Sequence, residues 1–137
     1  MDSSGKFLKI KTMKILVVDD EMDVKSLFEQ SFRKEIKNHE LEFNFAFSGE
    51  TAIDFMEAHL HEAVLILSDI NMPGMSGLVL LKNIKENYKK PAPKVMMITA
   101  YGDGENYNEA MKLGADDFLT KPVDFVNLKE KLKKFIS

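Results

Sequence analysis

Cysteine and tryptophan are both absent from this 137-residue chain. Without cysteine there can be no disulfide, no thiolate metal centre and no cysteine nucleophile. No apolar run approaches the roughly 20 residues that a membrane-spanning helix needs. An excess of basic charge is missing too. The net charge is −3, so nothing indicates a cationic surface for nucleic acid or for anionic lipid. The first dozen residues lack the apolar centre of a secretory signal. Their polar start, Asp2-Ser3-Ser4-Gly5, reads as a flexible tail over residues 1–12. Residues 13–137 are then left as one domain. Together these absences suggest a cytoplasmic protein that binds neither membrane nor nucleic acid directly.

What is present is an alternation. The composition, 45% hydrophobic and 30% charged, is that of an ordinary globular domain. Short apolar runs alternate with stretches of helical periodicity, five times over. Met13 to Val18 is the first run, and Val24, Leu27, Phe28, Phe32 and Ile36 then recur at helical spacing. Leu41 to Phe47 carries its larger apolar side chains at every second position. A helix follows from Gly49 to about Leu60, with Ser48 as its cap and Thr51 behind it. Val64 to Leu67, a Pro73-Gly74 turn and a helix over about Gly77 to Tyr88 come next. Pro91 and Pro93 separate that helix from Lys94 to Thr99. A fourth helix ends at Gly114, Asp117 to Thr120 is a short strand, and Phe125, Leu128, Leu132, Phe135 and Ile136 mark the last helix.

This pattern predicts a single doubly wound α/β domain, a (βα)5 three-layer sandwich of the flavodoxin-like class. Runs one, three and four are continuously apolar, as in strands covered on both faces. Run two alternates and run five is short, which suits edge strands. The predicted parallel order is therefore 2-1-3-4-5, with its switch point at the carboxyl ends of strands one and three. Asp19, Asp20 and Asp69 all fall there. Three acids at one spot repel strongly unless a cation or a proton holds them together.

The motifs Val17-Val18-Asp19-Asp20-Glu21, Ser68-Asp69-Ile70-Asn71-Met72-Pro73-Gly74-Met75-Ser76-Gly77, Ile98-Thr99-Ala100 and Phe118-Leu119-Thr120-Lys121-Pro122 stand in this order along the chain. With those motifs, residues 13–136 resemble the receiver domain of two-component response regulators. The resemblance implies that Asp69 is the phosphoacceptor. It implies that Asp20 and Asp69 bind Mg²⁺ (or Mn²⁺) directly, Asp19 through water, and Asn71 through its backbone carbonyl. Thr99 and Lys121 would contact the phosphoryl group, and Phe118 would be the aromatic switch residue. Asn71 and Tyr101 occupy positions that tune hydrolysis in that family, and the Lys121–Pro122 bond is usually cis there.

Physical chemistry agrees with this set. Mg²⁺ takes octahedral oxygen ligation and keeps several waters, which suits two carboxylates and one carbonyl. An anionic phosphoryl group approaching a carboxylate needs the positive charge of Lys121 and a cation. Taken singly, the same residues have plainer roles: Asp19 and Asp20 as helix caps, Asp69 as turn chemistry, Thr99 as a strand residue, Lys121 as a surface lysine. Met72 and Met75 read as loop packing, since thioethers do not suit Mg²⁺. His39, His59 and His61 lie in helix-end or polar settings. Lys129, Lys131, Lys133 and Lys134 read as the wet face of the last helix.

Three rival functions follow from the same residues. A flavin site binds phosphate after strand one, but the loop here, Asp19-Asp20-Glu21-Met22-Asp23, would repel it. A haloacid-dehalogenase-type phosphatase also forms an aspartyl phosphate, but it needs a second Asp as acid/base where this chain has Asn71. A receiver-like scaffold that is never phosphorylated would not need the full acid, Thr99 and Lys121 set. The favoured expectation is a non-enzyme switch. It receives a phosphoryl group from a histidine kinase or a histidine phosphotransfer protein. Its fourth helix, fifth strand and fifth helix would address an output partner, a fused C-terminal effector domain or a second copy of the chain.

Overall fold

The β-branched and aliphatic runs form the five strands for which they are suited. The computed structural model describes residues 12–59, 62, 65–88, 92–100 and 102–136. The strands are β1 (Met13–Val18), β2 (Leu41–Ala46), β3 (Leu65–Asp69), β4 (Lys94–Thr99) and β5 (Asp117–Thr120). All pairings are parallel, and the order is β2-β1-β3-β4-β5. Strands one, three and four are central, and the alternating and short strands are the edges, as their patterns predict. The helices are α1 (Asp23–Ser31), α2 (Arg33–Lys37), α3 (Gly49–Ala58), α4 (Gly77–Asn87), α5 (Gly104–Lys112) and α6 (Phe125–Ile136). Residues 1–11, His61, Val64, Pro91 and Tyr101 lie outside the described residues. Thr12, assigned by its sequence to the tail, donates its hydroxyl to the His39 carbonyl at 2.7 Å.

Alternate residues of each strand feed opposite faces. Ile15 and Val17 join Leu65, Leu67, Met96 and Ile98 in one core, against α1, α2 and α6. Leu16 and Val18 join Ile66, Val95 and Met97 in the other, against α3, α4 and α5. The first core is aromatic at its edge. Phe28 lies 5.5 Å from Phe43, 6.2 Å from Phe45 and 5.1 Å from Phe125 between ring centroids, all edge-on. Such geometry suits the ring quadrupoles. Met72 is buried in the second core, and Met75 packs beside it, as expected of loop packing.

Helix ends are set locally. Ser48 and Thr51 form a reciprocal capping box on α3. Ser76 caps α4 by accepting the Val79 N–H, and Asp103 caps α5 by accepting that of Asn106. Gly114 follows α5 with φ +96°, a left-handed conformation that a β-carbon disfavours.

Three details differ from the expectations. The first helix is not continuous: Phe32 leaves the helical region at φ −113°, ψ 23°, dividing α1 from α2. Its N–H still reaches the Phe28 carbonyl at 3.0 Å, and the Ile36 N–H reaches its own carbonyl at 2.9 Å. The hydrogen-bond ladder therefore bends at Phe32 without parting. Leu27, expected on the buried stripe, is 52% exposed, because Val24, Phe28 and Phe32 already fill the contact with the sheet. The α6 lysines are not all simply wet. Lys129 pairs with Glu35 at 3.4 Å, and Lys131 with Asp117 at 3.0 Å. Each head group bridges to a neighbouring element, and that of Lys129 also lies 5.3 Å from the centre of the Phe32 ring.

Gly77 opens α4 directly beneath the end of β3. Its N–H donates to the Ile70 carbonyl at 2.7 Å. A β-carbon there would lie 2.0 Å from the backbone oxygen of Asp69. Backbone cannot swing aside like a side-chain tip, so Gly77→Ala is expected to cost at least the roughly 1–3 kcal/mol of an overpacked core. Gly104, at the start of α5, has no atom within 4 Å of its would-be β-carbon. Gly104→Ala is expected to be neutral or stabilising by up to about 1 kcal/mol. Urea unfolding of the two variants checks the contrast, and equal effects would contradict it.

Candidate functional site

The register of the sheet assembles the site. Val18 pairs with Ser68, so Asp19 and Asp20 leave β1 beside Asp69 at the end of β3. Asp69 pairs with Ile98, and Thr99 pairs with Thr120, which brings Thr99 and Lys121 to the same edge. The Asp19 N–H donates to the Ala46 carbonyl at 3.1 Å, and the Lys121 N–H to the Thr99 carbonyl at 2.8 Å. The Lys121–Pro122 peptide bond is cis.

Asp19, Asp20 and Asp69 each offer a carboxylate oxygen within 4.8 Å of the others. Asp19 and Asp69 are both 4% exposed, while Asp20 opens to solvent. Asp19 is not a helix cap. Its Oδ1 accepts the Glu21 N–H at 2.9 Å, and α1 begins after Met22 with no side-chain cap. One ammonium faces the acids. Lys121 Nζ donates to Asp69 Oδ2 at 2.8 Å and lies 3.6 Å from Asp19 Oδ2. It is also 3.7 Å from Glu21 Oε1. Sequence reasoning counted Glu21 only among the acids that repel phosphate and gave it no contact, although a third consecutive acid after β1 was a visible signal.

The titration shifts express this crowding. Burial pushes the Asp19 carboxyl above its ordinary range, and the Asp69 and Asp20 charges add to the effect. The Glu21 N–H and Lys121 oppose that shift without cancelling it. Burial alone would lower the Lys121 ammonium, but the hydrogen bond and charge of Asp69, with Asp19 and Glu21, raise it overall. Lys121 is therefore a fixed positive charge near neutrality. Three carboxylates around one lysine leave negative charge uncompensated. An all-oxygen donor set of this kind fits a hard divalent cation such as Mg²⁺.

The remaining candidates sit around this cluster rather than in it. Asn71 is exposed on the loop after β3. That loop is tethered to α3, because Glu50 Oε2 accepts the Met75 N–H at 3.3 Å. Ser68 donates its hydroxyl to the Asp69 carbonyl at 2.9 Å. Thr99 is buried, and its hydroxyl donates to the Leu119 carbonyl at 3.4 Å, not to an acid. Phe118 is half-buried on β5, with its ring 4.3 Å from that of Tyr107 on α5. Tyr101 falls outside the described residues. His39 and His59 lie away from the cluster: His39 is exposed at the end of α2, and His59 stacks on Phe55 and pairs with Glu62. Among the described residues no helix is long and apolar enough to cross a membrane.

Asp19→Asn keeps the oxygen that accepts the Glu21 N–H and deletes the charge that burial disfavours. A group whose folded pKa lies above its ordinary value destabilises the fold when ionised. Asp19→Asn is therefore expected to raise the thermal midpoint at neutral pH in the presence of EDTA, and to shrink the further rise produced by Mg²⁺. Differential scanning calorimetry checks both. A lower midpoint in EDTA would mean that the Asp19–Lys121 attraction outweighs the burial cost.

Comparisons with known proteins converge on one family. The model of the response regulator receiver domain matches residues 15–133. Chemotaxis protein CheY-3 of Vibrio cholerae is 36% identical over 124 residues, covering 90% of this chain and 92% of that protein. Transcriptional regulatory protein ZraR of Escherichia coli is 37% identical over 123 residues, covering 90% of this chain but 26% of that protein. Among solved structures, a response regulator from Chloroflexus aurantiacus superposes with a TM-score of 0.79 at 27% identity, covering 92% of this chain and 98% of that one. A receiver domain protein from Clostridium thermocellum gives 0.78 at 28%, covering 90% and 94%.

Proposed function

This chain belongs to the response regulator receiver family, a regulatory domain and not an enzyme, and from that premise we propose that it is a switch thrown by phosphorylation of Asp69. The observation that carries the reading is the 2.8 Å contact between Lys121 and a buried Asp69, inside a cluster of three carboxylates at the sheet's switch point. Membership of the family implies a histidine kinase as partner. We take the donor to be a phosphohistidine, on the kinase itself or on a phosphotransfer protein.

In the transfer, an Asp69 carboxylate oxygen forms the new P–O bond. The P–N bond of the phosphohistidine breaks, and the imidazole leaves with the electron pair and takes up a proton. A carboxylate oxygen attacks through its own lone pair, so the step calls for no base. Burial and the contact with Lys121 restrict its direction of attack, and positioning supplies much of the rate in such transfers. Lys121 sets its ammonium where the phosphoryl oxygens arrive. Asp19, Asp20, Asp69 and the Asn71 carbonyl would hold Mg²⁺ (or Mn²⁺), which when bound offsets the charge of the incoming group. Asn71 cannot act as the acid/base of a phosphatase, so the phosphoryl group persists long enough to signal.

Thr99 converts the chemistry into shape. Its hydroxyl gives up the Leu119 carbonyl to hydrogen-bond the phosphoryl group, and Phe118 moves into the space this leaves. The face made by α5, β5 and α6 then changes for its reader. In energetic terms the phosphoryl group biases an equilibrium between two existing states. The reader is a separate partner, a fused effector domain or a second copy of the chain. Tyr101, two residues past Thr99, would shield the phosphoryl group from water.

With acetyl phosphate and Mg²⁺, the protein is expected to gain one phosphoryl group by intact mass. EDTA and Asp69→Asn are each expected to abolish the gain. An Asp69→Asn variant that still took up phosphate would sink the assignment. Thr99→Ala is expected to accept the group but to lose the change in hydrogen exchange over β5 and α6. A parental exchange response in Thr99→Ala would remove Thr99 from the relay.

A further inference from the structure

Helix α5 is the most lightly attached of the helices flanking the second core. Ala110 is its one buried residue. A side chain that small brings the helix backbone close to the sheet but contributes little contact area of its own. One turn earlier, Tyr107 lies on the same side of α5, since residues three apart share a face. It is 39% exposed, yet its ring stands 4.3 Å from that of Phe118, inclined by 42°. Phe118 in turn pairs across the sheet with Met97 and packs on the second core. The next residue, Leu119, offers the carbonyl that holds the Thr99 hydroxyl. Thr99, the Leu119 carbonyl, Phe118 and Tyr107 thus form one connected path from the edge of the acid cluster to the surface of α5.

We propose that Tyr107 is a positioning residue that holds Phe118 on the α5 side of β5, and so sets how readily the site adopts its phosphoryl-bound state. The proposal rests on the receiver reading above. In this proposal, movement of Phe118 toward Thr99 draws its ring off that of Tyr107. An aromatic contact of this kind shifts a two-state equilibrium by about two- to tenfold. Ala110 is the one residue that α5 buries, so losing the Tyr107 contact loosens α5 as well. Tyr107 therefore resists the switch before phosphorylation and reports it afterwards, with Met111 one turn further on and also exposed. Acceptance of a phosphoryl group and the state of the α5 surface are then two ends of one linkage.

The test is calorimetric titration of the full chain with beryllium fluoride in excess Mg²⁺, which mimics the phosphoryl group on an aspartate. Tyr107→Ala is expected to bind about two- to tenfold more tightly than the parent. In a Phe118→Ala background, Tyr107→Ala is expected to change nothing further, since the contact is already gone. Should Tyr107→Ala not fold, Tyr107→Leu keeps an apolar side chain without the ring and is expected to tighten binding in the same direction. Unchanged or weaker binding in a folded Tyr107 variant, or an equal effect with and without Phe118, overturns the proposal. A parent that does not bind, or an Asp69→Asn variant that binds equally, overturns the underlying receiver reading instead.

Discussion

Everything distinctive about this domain depends on holding three carboxylates together at the end of a parallel sheet. Like charges a few ångströms apart resist that arrangement, and burial makes the resistance worse. The raised Asp19 carboxyl is the direct sign of it. The sheet overcomes the repulsion through backbone register. Asp19 is fixed by β2 through the Ala46 carbonyl, Asp69 by its place in β3, and Lys121 by β4 through the Thr99 carbonyl. All five strands therefore contribute to one cluster, since Asp19 follows β1 and Lys121 follows β5, and both cores behind it supply the rigidity. The result is a site with an excess of negative charge, which suits a cation.

The same crowding of charge bears on the proposed switch. Lys121 is shared between Asp69, Asp19 and Glu21. In the proposed switch, a phosphoryl group on Asp69 would redistribute those contacts. Thr99 is the next neighbour able to respond, because its hydroxyl holds the Leu119 carbonyl by a long 3.4 Å bond. A weak hydrogen bond at that point costs little to exchange for a charge-assisted one. Phe118 and Tyr107 stand immediately behind. The aromatic residues of the first core, by contrast, interlock around Phe28. The proposed motion would accordingly run to the α5, β5 and α6 side.

Much of this was legible in the sequence, for physical reasons. Continuous apolar runs mark the central strands β1, β3 and β4, and the alternation in Leu41 to Phe47 marks an edge, because one face of an edge strand stays wetter. Ser48, Thr51 and Gly114 announce helix ends through local chemistry. The acids and Lys121 could be brought together once the strand order was known. The bend at Phe32 was hidden, since Val24, Phe28, Phe32 and Ile36 keep the same phase in a straight or a bent helix. The pairings Lys129–Glu35 and Lys131–Asp117 were hidden because they join elements distant in sequence. Glu21 was overlooked because the side chain it approaches, Lys121, lies on another strand's loop. The Tyr107–Phe118 contact likewise needs the packing of α5 on β5, which periodicity alone does not fix.

The central claim is that the buried acid facing Lys121, and not its neighbours, carries the phosphoryl group. Borohydride reduction of the phosphorylated protein converts an aspartyl phosphate into homoserine, which tandem mass spectrometry can place to the residue. The account predicts homoserine at position 69 and unmodified aspartate at 19 and 20. Homoserine at 19 or 20, or a phosphoryl group that resists reduction on another residue type, would contradict it.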